Sequence, residues 1–247
     1  MLTWVTRPST AELTKEFCHR LDESANLLQG EFAVALTGGE SAAVFYDAWA
    51  QHGVAERLRF YWSDERVVPP DNPDSNFKLA AEHLLRPGRV AESHLHPAPT
   101  QLPAGECASA YAEQIRHQVP GGPISTPQFP LIILGLGSDG HTGSLFPGRD
   151  PYAEDDALVR AVEGTPAHPH ARITFTPKLI NAARQVWLVV TGANKAWAVR
   201  QLAERRALVE KVPALVVNPN ETRVTIFADA AAAGSAALGP DRATIGK

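Results

Sequence analysis

The chain has 247 residues, 44% hydrophobic and 20% charged, enough for a substantial core. Length alone allows one large α/β domain or two small ones, and we read a single domain over residues 1–247. No apolar run reaches the roughly 18 residues that a membrane span needs, and residues 1–8 lack the basic-then-apolar pattern of a secretion signal. A formal net charge of -4 excludes a global attraction for nucleic acid or an anionic membrane but leaves room for a local basic pocket. The expectation is a cytoplasmic protein with a small-molecule partner, monomeric or weakly self-associating, whose Cys18 and Cys107 are buried reduced thiols.

A helical pattern over 10–28 comes first. Residues 32–36 then form a short apolar run, read as a buried strand, which ends in Gly38-Gly39-Glu40-Ser41 and a helix over 41–51. A second strand at 58–62 runs into Ser63-Asp64-Glu65-Arg66, and Asp74 or Ser75 is placed to cap a helix over 75–85. After a helix over 104–119, a third strand at 131–134 meets the Gly135 to His141 loop. A fourth at 186–190 meets Thr191-Gly192, with Lys195 opening a helix over 193–204. Further strands are expected at 214–217 and 223–228, and the Ala-rich tail from Ala230 reads as a short helix or a frayed end. The Pro/Gly-rich stretches at 97–105 and 120–130 read as surface loops. Strands alternating with helices imply a mostly parallel, Rossmann-like α/β sheet with helices on both faces. In such sheets ligands bind beyond the carboxyl ends of the strands, so the four unusual loops are expected to meet at one edge.

Gly38-Gly39 before a helix suits backbone N–H groups to an anion such as phosphate, and suits equally a tight turn with Ser41 as a plain cap. The Lys-Ser/Thr ending of a nucleotide P-loop is missing. Gly135-Leu136-Gly137-Ser138-Asp139-Gly140 formally matches a dinucleotide fingerprint. Pro147 and Gly148 interrupt the helix it would need, however, and Asp155 and Asp156 lie in polar sequence rather than at a strand end. Asp139-Gly140 is also an ordinary turn signal, and Asp64, Glu65 and Arg66 also fit a solvated charge cluster. Arg172 also fits an exposed strand end, and Lys195 a helix surface. His94 with His96 and His168 with His170 have no third ligand at a recognisable spacing, so no metal and no cofactor are expected. A Gly-x-Ser-x-Gly nucleophile elbow is absent.

Together these loops resemble the 6-phosphogluconolactonase family. The resemblance runs through nearly the whole chain and is most specific in YWSDERVVPPDNPDSNF at 61–77, LGLGSDGHTGSLFPG at 134–148 and RITFTPKLINAARQVWLVVTGANKA at 172–196. It implies a fold shared with glucosamine-6-phosphate deaminase and ribose-5-phosphate isomerase, and hydrolysis of a sugar-phosphate lactone. His141 would be the general base, Asp139 its acidic neighbour and Arg66 an oxyanion stabiliser beside the backbone around Gly137. Arg172, Lys195 and the loop of Gly38, Gly39 and Ser41 would hold the phosphate, with Asp64 and Gly137 completing the pocket. Deaminase relatives carry Asp-Glu-Tyr in the second loop and a glutamate soon after Asp-Gly-His. Here Arg66 and Leu145-Phe146-Pro147 stand instead, which favours the lactonase over an isomerase or deaminase. A non-catalytic sugar-phosphate sensor is the remaining alternative, and no basic helix-turn-helix accompanies the core. Glu40 departs from the family's Gly-Gly-Ser, and we expect its carboxylate to point away from the phosphate.

Overall fold

In the computed structural model, residues 1–27, 29–121, 126–149, 156–165 and 168–234 are described, with the backbone of 243–244. Leu28, the stretch 122–125, Asp155 and most of the tail beyond Ala233 lie outside them. The strands are β1 (Leu2–Arg7), β2 (Phe32–Leu36), β3 (Leu58–Trp62), β4 (Asp64–Arg66), β5 (Leu131–Gly135), β6 (Val159–Val162), β7 (Arg172–Phe175), β8 (Gln185–Val190), β9 (Arg223–Asp229) and β10 (Ala243–Thr244). The helices are α1 (Thr10–Asn26), α2 (Glu40–His52), α3 (Asn76–Ala80), α4 (Ala104–Gln118), α5 (Pro177–Ala182), α6 (Ala196–Glu204) and α7 (Ala230–Ala233).

Seven strands form one sheet in the order β10-β1-β9-β8-β5-β2-β3, parallel throughout except where β10 meets β1. The short apolar runs sit at its centre because both faces are covered. Along β2, Val34 and Leu36 join one core with Phe17 of α1 and Phe45 and Trp49 of α2, while Ala33 and Ala35 join another with Tyr111 and Ile115 of α4. In the first core the ring of Phe17 stands edge-on to Phe45, Trp49, Trp187 and Phe227 at centroid distances of 5.0 to 6.1 Å. Each such ring contributes about 1.5–3 kcal/mol of burial.

Several elements differ from the sequence expectation. β1 was not anticipated, since Thr and Arg interrupt its apolar pattern, yet it pairs along its full length with β9. Residues 213–216 form a 3-10 turn rather than a strand, with Pro213 at its first position unable to donate to a ladder. The helix expected over 75–85 is α3 capped by Ser75, whose side chain accepts from the Lys78 N–H, followed by a π-helical turn over Ala81–Leu85. Most important for function, the Asp-Glu-Arg loop is itself a strand. β4, β7 and β6 make a separate three-stranded antiparallel sheet. The chain leaves the main sheet at Ser63, whose N–H and hydroxyl both donate to the Leu36 carbonyl while its own carbonyl accepts from Phe175.

β2 lies between β3 and β5, so the chain runs outward from β2 to one side and returns on the other. This topological switch point opens a crevice beyond the carboxyl ends of β2 and β5.

Candidate active site

A cavity of about 330 Å³ occupies that crevice. Gly38, Gly39, Ser41, Asp64, Arg66, Gly137, His141, Arg172 and Lys195 all line it, and Asp139 stands beside it, bonded to His141. The four loops therefore meet at one edge.

The loop after β5 presents an acid–base pair. Asp139 Oδ1 lies 2.6 Å from Nδ1 of His141 and also accepts the His141 backbone N–H at 3.1 Å. A carboxylate at Nδ1 favours the ring proton there and leaves Nε2 as the lone-pair nitrogen. Burial raises the Asp139 carboxyl, but the hydrogen bond and charge of His141 outweigh it and hold the group at about 2. Gly137 makes the pair sterically feasible. A Cβ there would come 2.1 Å from His141 Nδ1 and 2.5 Å from Asp139 Oδ1. One expectation is corrected here: the Gly137 N–H donates to the His141 carbonyl at 2.8 Å, so that amide closes the loop and is not free for an oxyanion.

The small sheet presents the cations. β4 and β7 pair so that Arg66 stands directly opposite Arg172, an arrangement that like charges disfavour. Arg172 is 7% exposed. It forms no ion pair among the described residues; its Nη1 lies 3.5 Å from the Ser144 hydroxyl and its guanidinium sits 5.4 Å from the centre of the Phe146 ring. Burial lowers its pKa from the ordinary value, with Asp64 opposing. The Arg66 Nη1 donates to the Asp74 carbonyl. Asp64 is buried, with Oδ2 accepting from Ser144 at 2.9 Å and Oδ1 without a partner. The solvated-cluster reading of residues 64–66 is therefore excluded, since Asp64 and Glu65 are both buried.

The first and fourth loops are tied together. Ser41 Oγ accepts the Thr191 N–H at 3.0 Å and lies 2.9 Å from the Thr191 hydroxyl, which leaves it one further bond for a ligand. Gly39 adopts φ 95° and has open space where a Cβ would stand. It precedes Glu40, the exposed first residue of α2, which also borders the cavity. Asp229 accepts the Gly192 N–H and so anchors the turn that carries Lys195. Lys195, like the two arginines, has no ion pair among the described residues.

Sequence reasoning missed Asn76 and placed Thr191 in the fourth loop without a role; both line the cavity. Asn76 was legible only as a residue beside a cap. In the fold its Nδ2 donates to the Asp64 carbonyl at 2.9 Å, and a Cβ on Gly38 would come 1.8 Å from its Oδ1. The histidine pairs divide. His96 stacks on Tyr61, and His170 bonds Asp74 at 2.8 Å. His168 stacks on Phe146 and meets His141 edge-on at 5.7 Å. Burial, then the charge of Arg172, lowers the His168 pKa. Asp139, His141 and His168 offer ligand atoms within 4.8 Å of one another and could hold a metal ion, a third ligand that spacing along the chain did not reveal.

Residues 8–226 match the family of glucosamine-6-phosphate isomerases/6-phosphogluconolactonase. A rice protein named probable 6-phosphogluconolactonase 3, chloroplastic, is 34% identical over 236 residues, covering 89% of this chain and 70% of its own length. Human 6-phosphogluconolactonase is 35% identical over 211 residues, covering 83% of this chain and 81% of its own. The structure of 6-phosphogluconolactonase from Trypanosoma brucei superposes with a TM-score of 0.83 at 27% identity, covering 96% of this chain and 99% of that one.

Proposed function

The chain belongs to the glucosamine-6-phosphate isomerase/6-phosphogluconolactonase family, and on that premise we propose that it hydrolyses 6-phospho-D-glucono-1,5-lactone to 6-phospho-D-gluconate, a step of the oxidative pentose phosphate pathway. The observation that carries this reading is the pairing of Arg66 against Arg172 in a cavity that also holds Lys195 and the Asp139–His141 pair. A buried cation such as Arg172 requires a counter-charge, and three cations without an ion-pair partner among the described residues, beside an imidazole base, fit a phosphorylated substrate undergoing water attack.

His141 Nε2 takes a proton from water as its oxygen adds to the lactone carbonyl, and Nδ1 holds its own proton against Asp139. The carbonyl oxygen becomes an oxyanion, which Arg66 stabilises. Collapse expels the ring oxygen, which receives the proton back from Nε2, and the ring opens to the acid. Arg172, Lys195, the Ser41 hydroxyl and the amides of the first glycine loop hold the phosphate and fix the lactone against the water. A deaminase would need a carboxylate soon after the Asp-Gly-His turn. Leu145 and Phe146 are buried there instead, and Phe146 serves as the platform under Arg172.

Purified protein mixed with freshly generated lactone is expected to release acid well above the spontaneous rate, while glucosamine 6-phosphate yields no ammonia; the reverse result would replace this reading with a deaminase. The steps above need no metal, so activity is expected to survive chelation, and a loss restored by one added metal would instead place that ion on Asp139, His141 and His168. Among the described residues no helix is long and apolar enough to cross a membrane. Cytoplasmic residence is part of the proposal; because the rice relative is named chloroplastic, cell fractionation is the deciding measurement.

A further inference from the structure

Glu65 is the one residue of the Asp-Glu-Arg strand that does not line the cavity. It is 2% exposed, and each carboxylate oxygen accepts two hydrogen bonds. Oε1 takes the N–H groups of Arg66 and Asn76, both at 2.7 Å. Oε2 takes the Ser75 hydroxyl at 3.1 Å and the Phe77 N–H at 2.6 Å. Two of these donors are first-turn amides of α3, which no carbonyl inside the helix can serve. A single side chain thus joins a strand of the small sheet to a helix start ten residues later.

Both joined segments carry cavity wall. Arg66 and Asn76 line it, and Asn76 in turn bonds the Asp64 carbonyl and packs where Gly38 lacks a Cβ. We propose that Glu65 is a positioning residue that holds Arg66 and Asn76 in the geometry the reaction uses, an inference that rests on the lactonase reading above.

The groups facing Glu65 are Asp64 and Arg66 on its own strand, Cys107 and Tyr111 of α4, and Arg172 across the small sheet. Burial pushes the Glu65 carboxyl up to about 7, against the hydrogen bonds from Asn76, Phe77 and Arg66. A carboxyl raised in the folded state contributes stability that is present below its ordinary value and is lost as pH rises through about 7. At pH 8 the protein therefore holds a buried charge at a cost in stability. Glu65→Gln removes that cost and keeps the shape, but an amide nitrogen cannot accept the two bonds made by one oxygen. A role in stability alone predicts a Gln variant that melts at or above the wild-type temperature at pH 8 with full turnover. Positioning predicts the same melting behaviour with turnover lost.

The experiment measures kcat and melting temperature of wild type and Glu65→Gln from pH 6 to 8, together with amide hydrogen exchange at Arg66, Asn76 and Phe77. The expected result at pH 8 is a kcat at least tenfold lower, an unchanged or higher melting temperature, and exchange at those three amides at least tenfold faster. The wild-type to variant ratio of kcat should shrink towards pH 6, where wild-type Glu65 is also neutral; every other titrating group is common to both proteins. Full kcat in the variant at pH 8, or a ratio constant from pH 6 to 8, overturns the proposal. If wild type itself releases no acid from the lactone, the lactonase reading fails. The exchange data then decide alone: unchanged protection overturns the clamp and faster exchange supports it.

Discussion

The strand after β3 and the turn after β5 each place a carboxylate just behind the residues that line the cavity, and the two are held in opposite ways. Glu65 is enclosed, with four donors, yet burial pushes its carboxyl up to about 7. Asp139 is half-exposed, and the proton of a single imidazole helps to hold it at about 2. Solvation outweighs the number of partners in setting the charge. The carboxylate that stays ionised across the neutral range is the one facing His141, where a proton must be accepted and returned. The one that fixes backbone is buried. The same contrast separates the cations: Arg172 is buried within the small sheet, whereas Lys195 sits on a turn with partial exposure.

The largest effect should come from removing the imidazole that Asp139 serves. His141→Ala is expected to lower kcat by on the order of 10²- to 10⁴-fold while affinity for 6-phosphogluconate changes little, measured after subtracting spontaneous lactone hydrolysis. Full residual turnover would remove His141 from the mechanism.

The buried side of the comparison is tested next. Arg172→Ala should lower kcat/KM for the phosphorylated lactone by about 10- to 100-fold, the value of a charged hydrogen bond of about 1.5–3 kcal/mol, and leave unphosphorylated gluconolactone nearly unaffected. Lys195→Ala should show the same selectivity to a smaller degree because its ammonium is better solvated. Equal losses on both substrates would assign the two residues a structural role.

Gly137→Ala sharpens the geometry of the turn, since the added methyl meets the His141–Asp139 bond at 2.1 Å from Nδ1. A loss of about tenfold in kcat with KM little changed is expected from a displaced base. Retained kcat at an unchanged melting temperature would show that the turn accommodates the methyl without moving the pair.

The smallest effect belongs to Glu40, exposed at the first position of α2. There a carboxylate favours the helix dipole by a few tenths of a kcal/mol. Glu40→Ser should change apparent substrate affinity by less than about threefold. A tenfold gain that weakens as salt rises would show the carboxylate facing the phosphate.

Strands β2, β3, β5, β8 and β9 were legible in the chain alone, because each is largely buried and reads as a mainly apolar run, interrupted by Arg59 in β3 and Thr225 in β9. The sequence also determined that the glycine-rich and charged loops gather at one edge, since parallel strands place every strand-to-helix turn at the same end. A cap at Asp74 or Ser75 was legible from local chemistry, and the fold uses Ser75. The small sheet was not legible in the chain. Its strands are three or four residues long and carry Asp64, Glu65, Arg66, Arg160 and Arg172, so no local apolar period marks them. β6 pairs with its near neighbour β7, but β4 joins them only through hydrogen bonds to β7 about a hundred residues along the chain. That pairing set Arg66 against Arg172, and the fold it belongs to enclosed Glu65 and brought Asn76 against Gly38. Asp64 is buried where Ser144, 80 residues along the chain, supplies its hydrogen bond, which is information no single stretch of sequence contains.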